Sequence, residues 1–131
     1  MAINPNMKTI VIDDMMTMRK IIIRMLKTMG FTNIQEADDG ATAWPMIEEA
    51  AASGEPFEFI VSDWNMPKMS GLDLLIKIRA TENLKSTPFM MVTAESEQSN
   101  VVKVVQAGVS NFVVKPFNHD TLKMKIAKIF K

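Results

Sequence analysis

Polar residues of complementary charge follow four of the short apolar segments in this sequence. Asp13 and Asp14 follow the first segment, Asp63 the third, Thr93 the fourth and Lys115 the fifth. Each residue alone is commonly a helix cap, a turn residue or a surface residue. Taken together, three carboxylates, a hydroxyl and an ammonium are a set that can bind a cation and take part in phosphoryl transfer to a carboxylate.

Electrostatics narrows the kind of cation that this set would bind. Three clustered carboxylates repel one another and raise each other's pKa unless a cation joins them. Oxygen ligands without imidazole or thiolate favour a hard cation such as Mg²⁺, which also lets a phosphate dianion approach. Asp63 is the predicted nucleophile because it ends the central strand, between the Asp13–Asp14 pair and Lys115.

The segments that carry these residues alternate between short apolar runs and longer amphipathic ones. The predicted strands cover residues 9–12, 34–37, 57–62, 89–92 and 111–114. The predicted helices cover approximately residues 15–29, 41–52, 72–80, 97–107 and 120–130. Repeated strand–helix units with continuously apolar strands indicate an α/β fold with a parallel sheet and helices on both faces. Ligand sites of such sheets lie at the carboxyl ends of the strands, where the polar residues occur.

The composition is typical of one ordinary globular domain spanning residues 1–131. Apolar residues make up 47% of the chain, and 15 basic residues balance 15 acidic ones, so nothing indicates a nucleic-acid partner. The absence of Cys excludes a disulfide framework and a thiolate zinc site. The N-terminal residues do not look like a signal peptide, and no apolar run is long enough to span a membrane. We therefore expect a cytoplasmic protein.

Five short motifs occur in a fixed order along the chain. They are Val11-Ile12-Asp13-Asp14, Ser62-Asp63-Trp64-Asn65-Met66-Pro67, Gly71, Val92-Thr93-Ala94-Glu95 and Val114-Lys115-Pro116-Phe117. This ordered set resembles the receiver domains of bacterial two-component response regulators, and most of all the single-domain members that act in chemotaxis. The resemblance extends from Met7 to Phe130. It implies a flavodoxin-like fold with strand order 2-1-3-4-5, and a signalling switch rather than an enzyme.

The resemblance implies a role for each acidic residue. Asp63 would accept the phosphoryl group from a phosphohistidine of a histidine kinase. Asp14 and Asp63 would bind Mg²⁺ directly, together with the backbone carbonyl of Asn65. Asp13 would bind the same ion through a water molecule.

The remaining motif residues also receive roles from the resemblance. Lys115 would pair with the phosphoryl oxygens, and Thr93 would move toward the phosphate. Asn65 and Glu95 would tune hydrolysis of the phosphoaspartate. The peptide bond between Lys115 and Pro116 would be cis.

The resemblance further implies a partner surface on the fourth helix, the fifth strand and the fifth helix. Its predicted residues are Gln98, Val101, Val105, Phe112 and Lys125. Phe112 stands where the family usually has Tyr, Gln98 where motor-binding members carry Lys, and Val105 where they carry Ala. If Val102 faces the core, Val101 and Val105 lie nearer the outer face. The sequence leaves open whether the protein binds the flagellar motor switch or acts as a phosphate sink.

The predicted partners are thus a histidine kinase as phosphodonor, with the motor switch protein and a phosphatase as further candidates. We expect no nucleic-acid or membrane partner and a monomeric state.

Three other functions use related groups or the same fold. A haloacid-dehalogenase-type Mg²⁺ phosphatase normally needs Asp-x-Asp at the nucleophile, whereas this chain has Asp63-Trp64-Asn65. A flavodoxin-like FMN carrier needs a hydroxyl- and amide-rich loop after the first strand, where Asp13 and Asp14 would repel the phosphate. A DNA-binding regulator is disfavoured because no basic recognition helix is visible.

Overall fold

Five strand–helix units form a five-stranded parallel sheet in the computed structural model of this chain, which describes residues 4–94 and 98–130, residues 98 and 99 by their backbone only. The strands are β1 (Thr9–Ile12), β2 (Ile34–Ala37), β3 (Phe59–Asp63), β4 (Phe89–Thr93) and β5 (Asn111–Val114). The helices are α1 (Met16–Thr28), α2 (Gly40–Ala52), α3 (Gly71–Arg79), α4 (Gln98–Gln106) and α5 (His119–Ile129). The strand order β2-β1-β3-β4-β5 confirms the predicted flavodoxin-like fold.

Each face of the sheet is covered by its own apolar core. One core joins Ile10, Ile12 and Phe89 to side chains of α2, α3 and α4. The other joins Val11, Val61 and Phe59 to side chains of α1 and α5. All residues of β1, β3 and β4 are buried, because helices cover these central strands on both faces.

The third strand begins two residues later than the sequence predicted. The backbone N–H groups of Glu58 and Phe59 both donate to the carbonyl of Lys8, at 2.7 and 3.3 Å, so regular pairing with β1 starts only at Phe59. Phe57 is buried all the same, and the Lys8 ammonium lies 4.8 Å from the centre of its ring. The apolar character of Phe57 therefore reflects packing and not strand geometry.

Arg79 at the end of α3 joins two other elements at the amino edge of the sheet. Its Nε donates to the carbonyl of Gly108, just after α4, at 2.8 Å. Its Nη1 donates to the carbonyl of Thr87, just before β4, at 2.7 Å. The C-terminal end of α4 is thus fixed to the body of the domain.

Among the residues that the structure describes, no helix has both the length and the hydropathy needed to cross a membrane.

Candidate functional site

Three carboxylates meet at the carboxyl edge of the sheet. Asp13 and Asp14 follow β1, and Asp63 ends β3, the strand that pairs with β1 through Ile12 and Ser62. One carboxylate oxygen from each of the three residues lies within 4.8 Å of the others. Asp13 is fully buried and Asp63 is 6% exposed, whereas Asp14 is exposed. The predicted convergence of these residues is therefore present in the fold.

Asp13 is held on several sides. Its backbone N–H donates to the carbonyl of Ala37 on β2, at 3.2 Å. Its Oδ1 atom accepts a hydrogen bond from the N–H of Met15, at 2.9 Å. Its Oδ2 atom is buried and, within the described part of the chain, has no hydrogen-bond partner. Burial raises the pKa of this carboxyl, and the neighbouring charge of Asp63 raises it further, while the Met15 hydrogen bond opposes both.

Asp63 is paired with the ammonium of Lys115. The Lys115 Nζ atom lies 3.1 Å from Asp63 Oδ1 and 3.7 Å from Asp13 Oδ2. Burial raises the pKa of Asp63, and the charge and hydrogen bond of Lys115 oppose this effect. One ammonium thus faces a cluster of three acidic groups, two of which are shielded from water.

The donor set fits a hard divalent cation. Three carboxylates opposed by a single ammonium leave an excess of negative charge at a partly buried position, which is unfavourable without a further cation. The buried Oδ2 atom of Asp13 is an acceptor that an ordered water of a hydrated ion could satisfy. Oxygen donors of this kind suit Mg²⁺, which keeps several of its own water ligands.

The other predicted residues lie around this cluster. Thr93 ends β4, is buried, and pairs in register with Val114 of β5. Its carbonyl accepts a hydrogen bond of 2.7 Å from the N–H of Lys115. Asn65 is exposed and lies two residues after Asp63. The binding of Mg²⁺ by its backbone carbonyl stays a prediction. Glu95 lies outside the described residues.

The peptide bond between Lys115 and Pro116 is cis, as the resemblance implied.

Comparison with known proteins decides the family. The sequence model of the response regulator receiver domain matches residues 9–127. The chain belongs to this family. A chemotaxis protein CheY of Pseudomonas aeruginosa is 52% identical over 125 residues, which are 95% of this chain and 97% of that protein. The chemotaxis protein CheY-3 of Vibrio cholerae is 49% identical over 129 residues, which are 98% of this chain and 95% of that protein.

Solved structures give the same fold. The chemotaxis response regulator CheY4 of Vibrio cholerae superposes with a TM-score of 0.80 at 29% identity, over 95% of this chain and 98% of that one. A complex of CheX and CheY with BeF3 and Mg²⁺ from Borrelia burgdorferi has a TM-score of 0.83 at 23% identity, over 95% and 90% of the two chains. The second likeness concerns the fold alone. The chain is thus a CheY-like receiver domain of a two-component system.

Two features of this receiver site were not found from the sequence. A Cβ atom on Gly71 would lie 2.1 Å from the carbonyl oxygen of Asp63, so only glycine fits where α3 begins beneath that residue. The sequence pointed to Gly71 only as part of a motif. Arg19, on α1, donates a hydrogen bond from Nη1 to the carbonyl of Asp13, at 2.8 Å. No pattern in the sequence distinguishes this arginine from the other basic residues of α1.

The predicted partner surface requires one correction. Val104 is the buried valine of α4, with 1% exposure, whereas Val102 is 42% exposed and Val105 is 56% exposed. The suggestion that Val102 faces the core is therefore wrong, because the helix is rotated so that Val104 packs against the sheet. Val101 is half-buried, so the outer apolar residues of α4 are Val102 and Val105.

The rest of this surface is formed by β5 and α5. Phe112 is half-buried, and the Lys125 ammonium lies 5.4 Å from the centre of its ring. An open groove runs between β5 and α5 beside both residues. The side chain of Gln98 lies outside the described residues.

Proposed function

We propose that this protein is a single-domain chemotaxis response regulator, residues 1–131 forming one receiver domain that accepts a phosphoryl group on Asp63. The phosphodonor is a histidine kinase, and the reaction depends on Mg²⁺. The observation that carries the proposal is the buried Asp63 carboxylate between the Lys115 ammonium and the carboxylates of Asp13 and Asp14. Transfer to a carboxylate needs positioning and charge neutralisation, and this arrangement supports both.

The proposed transfer forms one bond and breaks one bond. A carboxylate oxygen of Asp63 attacks the phosphorus of the phosphohistidine and forms an acyl phosphate. The phosphorus–nitrogen bond breaks, and the imidazole leaves with the electron pair and takes up a proton. Lys115, 3.1 Å from Asp63 before reaction, follows the developing charge onto the phosphoryl oxygens.

Asp14, Asp63 and the backbone carbonyl of Asn65 would hold the Mg²⁺ ion, with Asp13 acting through a water molecule. The ion supplies positive charge that offsets the acidic cluster and the phosphoryl oxygens. Asn65 and Glu95 tune the return of the phosphoaspartate to the free carboxylate by hydrolysis. The protein is accordingly a switch that supports its own phosphorylation and dephosphorylation, and not an enzyme that turns over a separate substrate.

Phosphorylation of Asp63 would change the partner surface formed by α4, β5 and α5. Thr93 moves toward the phosphoryl group and alters the position of the segment that follows β4. The residues that change for a partner are Gln98, Val101, Val105, Phe112 and Lys125. The flagellar motor switch protein is one proposed partner, a phosphatase is another, and a phosphate-sink role without motor binding is the alternative. We expect the protein to act as a cytoplasmic monomer.

Fluorescence of Trp64 tests the chemistry directly, because this half-buried side chain follows Asp63. In a Trp44→Phe background, which removes the second tryptophan, Mg²⁺ is titrated first and acetyl phosphate or beryllofluoride second. We expect a Mg²⁺-dependent change in wild type and no phosphodonor response in Asp63→Asn. The absence of both responses in the wild-type protein would contradict the proposal.

A flagellar-switch peptide separates the partner alternatives. The peptide is titrated against the protein with and without beryllofluoride. Binding to the activated form alone identifies a motor regulator. Absence of binding, with intact phosphorylation, favours a phosphate sink or another partner.

A further inference from the structure

Arg19 connects the acidic cluster to the edge strand β2. Its side chain is 11% exposed and leads from α1 toward the end of β1. The Nη1 atom donates to the backbone carbonyl of Asp13 at 2.8 Å, and the Nε atom donates to Glu36 Oε1 at 2.6 Å. One planar guanidinium therefore makes two hydrogen bonds in fixed relative directions, which a lysine cannot reproduce.

The bonded carbonyl belongs to the peptide that joins Asp13 to Asp14. The N–H of Asp13 is fixed by Ala37 on β2, and its Oδ1 atom is fixed by Met15. The hydrogen bond from Arg19 adds a constraint on the C-terminal side of Asp13, immediately before Asp14. The orientation of this peptide determines the direction in which the exposed Asp14 side chain leaves the backbone.

Glu36 holds the arginine in this position. Its second oxygen, Oε2, accepts from the Lys20 ammonium at 2.7 Å, so two cations share one carboxylate. Lys20 is 54% exposed and pairs with Glu36, whereas Arg19 contacts both Glu36 and the Asp13 carbonyl. The chain thus offers two neighbouring basic residues that share the same acidic partner, only one of which reaches the cluster.

We propose that Arg19 is a positioning residue for the metal site, holding the peptide between Asp13 and Asp14 so that the Asp14 carboxylate faces Asp63. Glu36 acts through Arg19 by fixing the direction of its guanidinium. This inference rests on the proposed function, because it assumes that Asp14 is a metal ligand. Residues that orient metal ligands through hydrogen bonds commonly contribute about 10-fold or more to metal affinity.

The test compares Arg19→Lys with Lys20→Met as the matched control. Mg²⁺ affinity is measured by isothermal titration calorimetry, and the ¹⁵N shift of the Asp14 amide is measured in metal-free protein. We expect Arg19→Lys to weaken Mg²⁺ binding about 10-fold, to move the Asp14 resonance, and to leave urea unfolding cooperative. Lys20→Met should change neither affinity nor resonance. Glu36→Gln should give an intermediate loss of Mg²⁺ affinity. If Arg19→Lys does not fold, Glu36→Gln is used as the test variant in its place.

Two contrary results have different meanings. If wild type binds Mg²⁺ and Arg19→Lys binds it equally well, the positioning role is wrong and the proposed function stands. If wild type binds no Mg²⁺, the proposed function fails and the positioning role fails with it.

Discussion

The Lys115 ammonium lies 3.1 Å from the Oδ1 atom of Asp63, across the edge of the sheet from the Asp13–Asp14 pair. Lys115 follows β5 and Asp63 ends β3, and these strands are not neighbours, since β4 lies between them. The contact therefore depends on the reach of a long side chain over the end of β4. It places a positive charge beside the proposed phosphoacceptor before any phosphoryl group arrives.

Replacement of Lys115 by Met should reduce phosphorylation of Asp63. The variant keeps most of the side-chain volume but removes the charge that offsets the phosphoryl oxygens. We expect the rate of modification by acetyl phosphate to fall by about 10-fold or more, with Mg²⁺ binding retained. The rate is followed by Trp64 fluorescence at saturating Mg²⁺. Lys115→Arg, which keeps the charge, should lose less, and an equal loss in both variants would argue against an electrostatic role.

Asp13→Asn should stabilise the metal-free protein and weaken its binding of Mg²⁺. The substitution removes a buried charge whose Oδ2 atom has no hydrogen-bond partner in the described chain, while Asn keeps an acceptor for the Met15 N–H. We expect a gain of about 1 kcal/mol in the free energy of unfolding. Urea denaturation without and with Mg²⁺ measures both effects. Asp38→Asn, at an exposed position, is the control and should leave both quantities nearly unchanged.

The contribution of Asp13 and Asp63 to the stability of the metal-free protein should increase as the pH falls from neutral through their raised pKa values. Both pKa values are raised by burial, so the folded state binds protons at a higher pH than the unfolded state does. The contribution of these two carboxyls to stability therefore rises with falling pH until they are protonated in the unfolded state as well. Thermal unfolding in EDTA between neutral and acidic pH measures this dependence. The double variant Asp13→Asn/Asp63→Asn should lose most of it, and an unchanged slope would refute this assignment.

Gly71→Ala should be strongly destabilising. The added Cβ would meet the Asp63 carbonyl oxygen at 2.1 Å and the Met91 sulfur at 2.9 Å, and the first of these is backbone that cannot move aside. We expect a loss of about 3 kcal/mol or more by urea denaturation. Gly54→Ala is the matched control, because that glycine has open space but a φ of +86°. It should lose only about 1 kcal/mol, and equal losses would mean that crowding under Asp63 is unimportant.

The polar residues of the site could be predicted because the ligand sites of parallel sheets lie at one edge, at the carboxyl ends of the strands. Once Asp13, Asp63 and Lys115 are placed at the ends of strands, their meeting follows from the fold. The roles of Arg19 and Gly71 could not be predicted in this way. One depends on where a long side chain ends, and the other on a distance of closest approach between a helix and a strand.

The outer face of α4 could be predicted only in part. Spacing shows that four valines cannot all face the sheet, but the rotation of the helix has to be known before any one of them is placed. Packing of Val104 against the sheet fixes that rotation and leaves Val102 exposed. The start of β3 shows a similar limit, since Phe57 is as apolar as a strand residue and is buried without being one.

The two hydrogen bonds of Arg79 hold the C-terminal end of α4 in place and leave its first turn without this constraint. The bond to Gly108 fixes the segment just after α4, at the edge of the sheet opposite the acidic cluster, and the bond to Thr87 holds the Arg79 side chain in place. The proposed displacement of Thr93 would act on the opposite end of the same helix. The helix should then turn about a fixed pivot, and residues should travel farther the closer they lie to its first turn. Val101 would move more than Val105. A partner that contacts both residues would therefore meet a change in their relative positions as well as a displacement of the helix.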